Sequence, residues 1–384
     1  MFTAFEVRFF GKFEVRFFGN IEINNSRDFA EMPRWGSNYS AKKKGEVSMA
    51  KRVDFSKARN VKVAAVGMDV DLHPDGKDNV VRMCEYIDEY ADKGCDLIVF
   101  PEGAGDGIAS GEAARNDYNN SLRGSADEET ARHLYEFSEY VPEGPMCQTL
   151  IKKAKEKGVY VVWCMGRRSE INPGIYYNTA VLVGPEGYIG RYDKVHLPAG
   201  EQLINSNGQD FPVFDTELGR IGMAICYDSF FEEIYRIYGI KGVDILVLVT
   251  GVPRDGQDSK IETDGTYRYF KSMLISEAMS NGLTIVASNA GNPGALHHSM
   301  VVNARGIVLA EAPEEEPEGV AVADIGWPAL DNKKHQVTNT WGLYTHKDRH
   351  PELYMDLIRI QEGHYFNNNH MKAIYNDCYK IEEE

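Results

Sequence analysis

The sequence predicts a layered α/β fold with a mixed β-sheet. Between about residues 61 and 325, short apolar runs of strand length alternate with segments that have the spacing of amphipathic helices. Towards the end of this region the apolar runs are joined by links too short to contain a helix, so part of the sheet is expected to be antiparallel. The chain has 384 residues, of which 43% are hydrophobic, and is long enough to bury a large core.

The first repeat of this pattern is a strand at residues 61–66 followed by a helix. The helix begins near Asp78 and ends at Gly94, because apolar residues recur every three or four positions up to that glycine. Two more helices are predicted at residues 148–157 and 269–281. The remaining apolar runs predict strands at residues 96–100, 159–163, 179–183, 221–225, 244–249, 284–287, 299–302, 307–310 and 320–323.

Residues 1–60 are interpreted as an N-terminal extension of the main domain, which spans residues 61–325. Residues 5–11 recur at residues 13–19 with alternating apolar and charged positions, which suits a β-hairpin. The polar segment from residue 20 to residue 60 is typical of a linker or of an arm on the surface.

Residues 326–384 form the predicted C-terminal tail. This segment is aromatic and polar, and we expect it to pack on its own subunit or on a neighbouring one. A helix is predicted to begin near Pro351, with Leu353, Leu357 and Ile358 as its apolar stripe.

The composition excludes several classes of function. Acidic residues number 58 against 42 basic ones, and the formal net charge of −16 repels phosphate backbones, so no nucleic-acid partner is expected. The longest apolar runs have only the length of a strand, so no membrane span is expected. The first twenty residues lack the order of a secretory signal, and we expect a cytoplasmic protein.

Two segments resemble ligand-binding loops but lack essential residues. Residues 105–110 follow a strand as a dinucleotide-binding fingerprint does, yet Ser110 stands at the position of the last glycine. Residues 71–76 have the glycine of a calcium loop, but His73 replaces an oxygen ligand. The six cysteines lack the Cys-x-x-Cys spacing of a zinc site. The sequence therefore predicts neither a metal nor a cofactor.

Three residues with reactive side chains lie at or just beyond the ends of predicted strands. Glu102 and Cys226 each end an apolar strand segment, and Lys194 lies after the strand at residues 179–183 and its turn. Reacting groups of α/β proteins gather beyond the carboxyl ends of the strands. Each residue alone also has an ordinary structural interpretation, as a loop carboxylate, a core thiol or a surface lysine.

Four segments around these residues resemble, in order along the chain, the motifs of the nitrilase superfamily of carbon–nitrogen hydrolases. They are residues 96–102, 176–187, 190–198 and 219–228. The resemblance covers roughly residues 61–325. It implies a four-layer αββα sandwich that assembles into homo-oligomers. It also maps the Glu-Lys-Cys triad of the family onto Glu102, Lys194 and Cys226.

These residue types suit the hydrolysis of an amide. A free thiol is only slightly ionised at neutral pH, so a cysteine nucleophile needs an adjacent base and an adjacent cation. Glu102 is the candidate base and Lys194 the candidate cation. The backbone N–H of Tyr227 is a candidate donor to the oxyanion. Attack by Cys226 leaves a thioester, which water activated by the same carboxylate would hydrolyse.

The family often carries a second glutamate, between the lysine and the cysteine, that positions substrate or water. Glu201, seven residues after Lys194, is the candidate, whereas Glu217 lies too close to the nucleophile strand. The alternative is that Glu201 is a solvated loop residue.

The pair Tyr227-Asp228 resembles the amidase and carbamoyl-amide branches of the family, whereas nitrile-cleaving members tend to carry Trp-Glu. The resemblance therefore implies that the protein hydrolyses a small linear amide or N-carbamoyl compound. This small molecule is its expected partner. Nitrile hydrolysis, acyl transfer by the same triad and a non-catalytic scaffold stay open as alternatives. Residues 103–143 form a connection longer than the family norm, which we interpret as a lid over Cys226 or as an inert insertion.

Overall fold

The computed structural model describes residues 5–9, 13–17, 59–70, 77–107, 135–198, 201–255, 263–316, 318–328, 346, 348–354 and 357. The chain divides into two compact units, residues 1–52 and residues 53–384. In the first unit, β1 (Phe5–Phe9) and β2 (Phe13–Phe17) pair in antiparallel fashion. The hairpin predicted from the duplicated segment is therefore confirmed.

The second unit contains two six-stranded sheets. The strands of the first sheet are, in chain order, β3 (Lys62–Val66), β4 (Leu97–Val99), β5 (Tyr160–Arg168), β6 (Tyr176–Gly184), β7 (Gly187–Asp193) and β14 (Val320–Asp324). Their order across the sheet is β14-β3-β4-β5-β6-β7. β3, β4 and β5 are parallel, since crossovers containing α1 (Lys77–Asp92) and α2 (Pro145–Lys157) connect them. The pairs β5–β6 and β6–β7 are antiparallel.

The second sheet repeats this plan with three parallel strands in the middle. Its strands are β8 (Phe214–Thr216), β9 (Gly219–Ile225), β10 (Ile245–Thr250), β11 (Thr284–Asn289), β12 (Met300–Val302) and β13 (Val308–Glu311). They lie in the order β13-β12-β11-β10-β9-β8. The parallel strands β9, β10 and β11 are connected through α3 (Glu232–Ile240) and α4 (Gly265–Asn281). The flanking pairs are antiparallel.

The alternation of side chains along each strand sorts the core into three apolar layers. Val63 and Leu97 of the first sheet join Met223 and Val247 of the second sheet in the layer between the sheets. The outer face of the first sheet packs on α1 and α2, and that of the second sheet packs on α3 and α4. The described part of the second unit is thus a four-layer αββα sandwich, which confirms the predicted fold.

Two glycines end helices at the predicted places. Gly94 follows α1 with φ of +80°, and Gly282 caps α4 with φ of +64°. Both values lie in the left-handed region, which a residue with a Cβ atom adopts only under strain. These glycines therefore let the chain leave each helix sharply and enter the next strand.

Two strands are missing from the sequence prediction. β7 contains two glycines and an arginine and has no continuous apolar run. β8 is only three residues long and lies at the edge of its sheet, where its side chains are partly exposed. Edge strands bury less of each side chain than central strands do, so their apolar pattern is weaker.

The helix predicted to begin near Pro351 is wrong over the residues that the structure describes there. Pro351–Leu353 form a single 3₁₀ turn. The side chains of Leu353 and Leu357 are 74% and 67% exposed, so they do not form a buried stripe. Short helices need a packed apolar face to persist, and these two leucines are not packed. Ile358 lies outside the described residues.

Several predicted segments fall largely outside the described residues. They include most of the linker at residues 20–60 and residues 108–134 of the connection interpreted as a lid. These interpretations therefore stay predictions. Among the helices that the structure describes, none is both long enough and apolar enough to cross a membrane.

We predict that Leu248→Ala lowers the free energy of unfolding by about 2–5 kcal/mol, because it opens a cavity in a fully buried layer. Leu248 lies on β10, at the centre of the second sheet. Ile171 is 95% exposed, and Ile171→Ala should change stability by no more than about 0.5 kcal/mol. Denaturant titration of both variants measures the difference, and equal stabilities would contradict the packing described above.

Candidate active site

The reactive side chains come together beyond the ends of strands from both sheets. Glu102 lies just after β4, Lys194 directly after β7 and Cys226 directly after β9. The Nζ atom of Lys194 lies 2.8 Å from Oε1 of Glu102. The thiol of Cys226 lies close enough to the same carboxylate for the charge of Glu102 to raise its pKa. The structure thus brings these three predicted site residues together in one cluster.

Glu201 completes this cluster from a short 3₁₀ turn, Glu201–Leu203. Its Oε2 atom lies 2.6 Å from Nζ of Lys194, and its side chain is 13% exposed. It is therefore bonded inside the site and is not a solvated loop carboxylate. Lys194 itself is 1% exposed, so its ammonium group lies between two carboxylates with almost no access to solvent.

Cys226 begins the 3₁₀ turn Cys226–Phe230 and has φ of +43°. A residue with a side chain adopts this left-handed conformation at a cost of about 1–3 kcal/mol, which the surrounding contacts must offset. The backbone N–H of Gly251, just after β10, lies near the sulfur and acts to lower the pKa of the thiol. The turn places the thiol beside Glu102.

Burial and charge set the protonation of the cluster. Burial alone would lower the pKa of Lys194, but the charges of Glu102 and Glu201 outweigh it and hold this pKa well above its usual range. Burial raises the pKa of the Cys226 thiol, and the charge of Glu102 acts in the same direction against that of Lys194. The resting cluster therefore contains a protonated lysine and a neutral thiol.

The second glutamate differs from an ordinary surface carboxylate. Burial raises the pKa of Glu201, Lys194 acts against this shift, and the nearby charge of Glu102 adds to it. Two carboxylates that share one ammonium are thus both close to each other and removed from water. Such a pair needs further donors to be stable.

One such donor, Asn178 on β6, is missing from the sequence prediction. Its Nδ2 atom lies 2.8 Å from Oε1 of Glu102 and 2.8 Å from Oε1 of Glu201. Its Oδ1 atom accepts a hydrogen bond from the thiol of Cys164, at 2.9 Å. Asn178 lies in the segment 176–187 that resembles a family motif, but the resemblance assigns it no role, because its contacts depend on how distant segments meet.

Asp228 is a second residue that the sequence prediction does not place in the site. Its carboxylate is fully buried and accepts hydrogen bonds from the hydroxyl of Tyr192, the backbone N–H of Ile225 and both the backbone N–H and Nδ1 of His196. Tyr192 and His196 flank Lys194, whereas Ile225 precedes Cys226. Asp228 therefore ties the lysine segment to the cysteine turn.

The side chain of Tyr227 points away from this buried network. It is 36% exposed, and its ring lies 5.7 Å from that of Phe230 and 5.3 Å from that of Phe231. The role predicted for its backbone N–H stays a prediction. Across the described ranges, no three His, Cys, Asp or Glu side chains are arranged to hold a metal ion.

We predict that Asp228→Asn lowers the free energy of unfolding by about 2–4 kcal/mol, since an amide group in place of either oxygen leaves a buried N–H donor unpaired. Asp215 pairs with Arg220 at the surface, and Asp215→Asn should cost less than about 1 kcal/mol. Denaturant titration separates the two variants. If Asp228→Asn lowered the free energy of unfolding no more than Asp215→Asn does, the buried carboxylate would not hold the lysine segment and the cysteine turn together.

We predict that Gly208→Ala slows the alkylation of Cys226 by iodoacetamide about 10-fold or more, because displaced reacting groups lose rate steeply. A Cβ atom at Gly208 would collide with the backbone carbonyl of Asp193, and the N–H of Gly208 donates to the carbonyl of Lys194. The substitution therefore displaces the lysine. Gly174→Ala, where the nearest atom would lie 3.5 Å away, is the matched control. Mass spectrometry measures the rate of alkylation. Equal rates in the two variants would contradict this account.

The comparison with known proteins agrees with the fold. Residues 62–332 match the sequence profile of the carbon-nitrogen hydrolase family. A nitrilase from Pyrococcus abyssi (strain GE5 / Orsay) is 30% identical over 300 residues, which cover 77% of this chain and 99% of that protein. The omega-amidase NIT2 of Homo sapiens is 30% identical over 281 residues, covering 68% of this chain and 87% of NIT2.

Among solved structures, a carbon-nitrogen hydrolase from Helicobacter pylori G27 superimposes with a TM-score of 0.64 at 20% identity, covering 79% of this chain and all of that one. This likeness shows that the αββα sandwich is shared. Taken with the match of more than half of the sequence, it shows that the chain belongs to the carbon-nitrogen hydrolase family of the nitrilase superfamily.

Proposed function

We propose that this protein hydrolyses a carbon–nitrogen bond in a small linear amide or N-carbamoyl compound through a thioester on Cys226. The observation that carries the proposal is the buried contact between the ammonium group of Lys194 and the carboxylates of Glu102 and Glu201, with the thiol of Cys226 beside Glu102. A nucleophile, a base and a cation in contact are what attack on an unactivated amide requires.

The first half of the proposed reaction forms the thioester. Glu102 removes the proton from the thiol as the sulfur of Cys226 attacks the amide carbon, and such a base contributes roughly 10² to 10⁴ in rate. Negative charge then develops on the amide oxygen, where the ammonium of Lys194 and the backbone N–H of Tyr227 stabilise it; one such donor contributes roughly 10² to 10³. Glu102 passes its proton to the leaving nitrogen, and ammonia or an amine departs.

The second half consumes the thioester. Water attacks the thioester carbon while Glu102 takes one of its protons. The carbon–sulfur bond breaks, the proton returns to the sulfur of Cys226, and the product is a carboxylic acid from an amide or a carbamic acid from an N-carbamoyl compound. Glu201 is proposed to position the water or the substrate, which its bond to Lys194 and its buried place beside Glu102 support. The same base thus serves both halves, as microscopic reversibility allows.

The protonation of the resting site fits this sequence. The raised pKa of the Cys226 thiol supports a step in which its proton leaves during attack. The raised pKa of Lys194 keeps its charge in place while charge develops on the substrate. Electrostatic stabilisation by a group that is already fixed and desolvated is stronger than the same contact in water.

We favour amides over nitriles as the substrates for two reasons. Tyr227-Asp228 resembles the amidase and carbamoyl-amide branches of the superfamily, and the relative from Homo sapiens is named an omega-amidase. The relative from Pyrococcus abyssi is named a nitrilase, so nitriles belong in any substrate panel.

We predict that Cys226→Ala lowers the rate of amide hydrolysis by at least about 10³-fold, because removal of a nucleophile leaves only binding and oxyanion stabilisation. Cys84 is also a half-buried free thiol, on α1, and Cys84→Ala should keep the wild-type rate. The measurement is ammonia release from a panel of small amides, N-carbamoyl amines and nitriles, with circular dichroism to confirm folding.

Mass spectrometry of the wild-type protein during turnover provides the second measurement. An acyl adduct on Cys226 with a carboxylic acid as the product supports the proposal. Turnover that persists in Cys226→Ala, or an adduct on another cysteine, would overturn it. An acyl group recovered on an added amine instead of water would replace hydrolysis by acyl transfer.

A further inference from the structure

The two carboxylates that flank Lys194 are not equivalent in their bonding. Both oxygens of Glu201 are engaged, Oε2 by Lys194 and Oε1 by Asn178. In Glu102, Lys194 and Asn178 both donate to Oε1, at 2.8 Å each. The Oε2 atom of Glu102 is therefore left out of both contacts, although both glutamates touch the same ammonium group.

We propose that Asn178 is a positioning residue that makes Glu102, and not Glu201, the base for Cys226. This inference rests on the proposed roles of Glu102 and Cys226. An oxygen that already accepts two hydrogen bonds is a weaker base than one that accepts fewer, so the thiol proton passes to Oε2 of Glu102. In Glu201 both oxygens carry a donor. Although burial raises the pKa of Glu201, a proton can reach either oxygen only where one of these two hydrogen bonds is lost.

Lys194 alone does not create this difference. An ammonium group has three donors on a flexible stem and imposes little orientation on a carboxylate. The planar amide of Asn178 adds a second fixed donor to each carboxylate, and so it sets how each one is turned. Its backbone carbonyl accepts the N–H of Lys194 at 2.9 Å, which holds the asparagine and the lysine in register.

Cys164 on β5 sets the orientation of the asparagine amide. Its side chain is 1% exposed, and its thiol donates to Oδ1 of Asn178. Burial raises the pKa of this thiol well above its usual range, with the charges of Glu102 and Asp106 adding to the effect, so the donor proton is retained. If the amide of Asn178 were rotated by half a turn, its oxygen would face the two carboxylates. The thiol and the two carboxylates therefore select the same orientation.

The test measures how the alkylation rate of Cys226 by iodoacetamide depends on pH, read by mass spectrometry on the full chain. At low pH the rate falls, because protonated Glu102 no longer accepts the thiol proton. This falling part of the pH profile is its acid limb. Asn178→Leu has a similar volume and no donor. We expect this acid limb to move upward by about one pH unit in the variant, since the charged form of Glu102 loses a hydrogen bond.

A matched control distinguishes positioning from loss of stability. Asn281 on α4 is buried, and its amide donates to Oε2 of Glu277 at 2.8 Å. Asn281→Leu should lower Tm and leave the acid limb where it is. In Glu102→Gln the acid limb should disappear. A folded Asn178→Leu protein with the wild-type limb, or a limb that persists in Glu102→Gln, would overturn the inference.

A second pair of variants decides the matter if Asn178→Leu does not fold. Cys164→Ser keeps a donor to Oδ1 of Asn178, whereas Cys164→Ala removes it. We expect the limb of Cys164→Ala to shift upward and that of Cys164→Ser to stay near the wild-type position. Identical limbs in the two variants would overturn the inference.

These measurements do not depend on knowing the substrate. A limb that moves in Asn178→Leu supports the inference even if the wild-type protein hydrolyses none of the amides, in which case only the proposed function fails. A limb that stays in place while Cys226→Ala abolishes hydrolysis overturns the inference alone. When hydrolysis is found, kcat should fall in Asn178→Leu more than KM changes.

Discussion

The arrangement of this protein depends on a lysine ammonium group that is almost completely removed from water. Moving a charge from water into a protein interior costs several kcal/mol unless opposite charges and hydrogen bonds replace the lost solvation. Lys194 obtains these from Glu102 and Glu201. The two carboxylates outnumber the one cation, and the amide of Asn178 supplies a further, neutral donor to both. Burial and the charge of Glu102 raise the pKa of the Cys226 thiol.

The αββα sandwich is what allows these groups to meet. Glu102, Asn178 and Lys194 come from the first sheet, whereas Cys226 and Gly251 come from the second. Packed sheets lie about 10 Å apart, and the apolar layer between them sets that distance. The proposed nucleophile and its proposed base therefore stand on opposite sides of the same interface, and Asp228 joins the two sides by hydrogen bonds to both. A defect in the central apolar layer would thus change the geometry of the site.

Much of this structure is predictable from the sequence, for identifiable reasons. Central strands are buried on both faces and leave continuous apolar runs, so β3, β9, β10 and β11 are recognisable, and polar residues at the ends of such runs mark Glu102 and Cys226. β7 and β8 escape notice, because edge strands are only partly buried. Glu201 was found through the family resemblance, and its bond to Lys194 shows that it lies in the cluster.

The sequence patterns do not assign Asn178, Cys164 or Asp228 to the cluster, although the first and the last lie in segments that resemble family motifs. Asn178 faces the cluster only because β6 pairs with β5 in the register that sets Cys164 opposite Ala180 and Gly166 opposite Asn178 itself. A shift of one residue would turn each side chain to the other face. Register of this kind is set by packing between distant segments, which a local pattern does not record. The polar residues that orient the reactive groups are therefore harder to predict than the reactive groups themselves.

The charge balance of the cluster also bears on the proposed hydrolysis. The amide of the proposed substrate is uncharged, whereas the acid released from it becomes a carboxylate once its proton has left. Lys194 is already matched by Glu102 and Glu201, so such a carboxylate would add a third negative charge beside one cation. Two like charges about 4 Å apart repel by roughly 4 kcal/mol at the effective dielectric of a protein surface. We therefore expect the carboxylates that keep the lysine charged to favour binding of the neutral amide and departure of the acid.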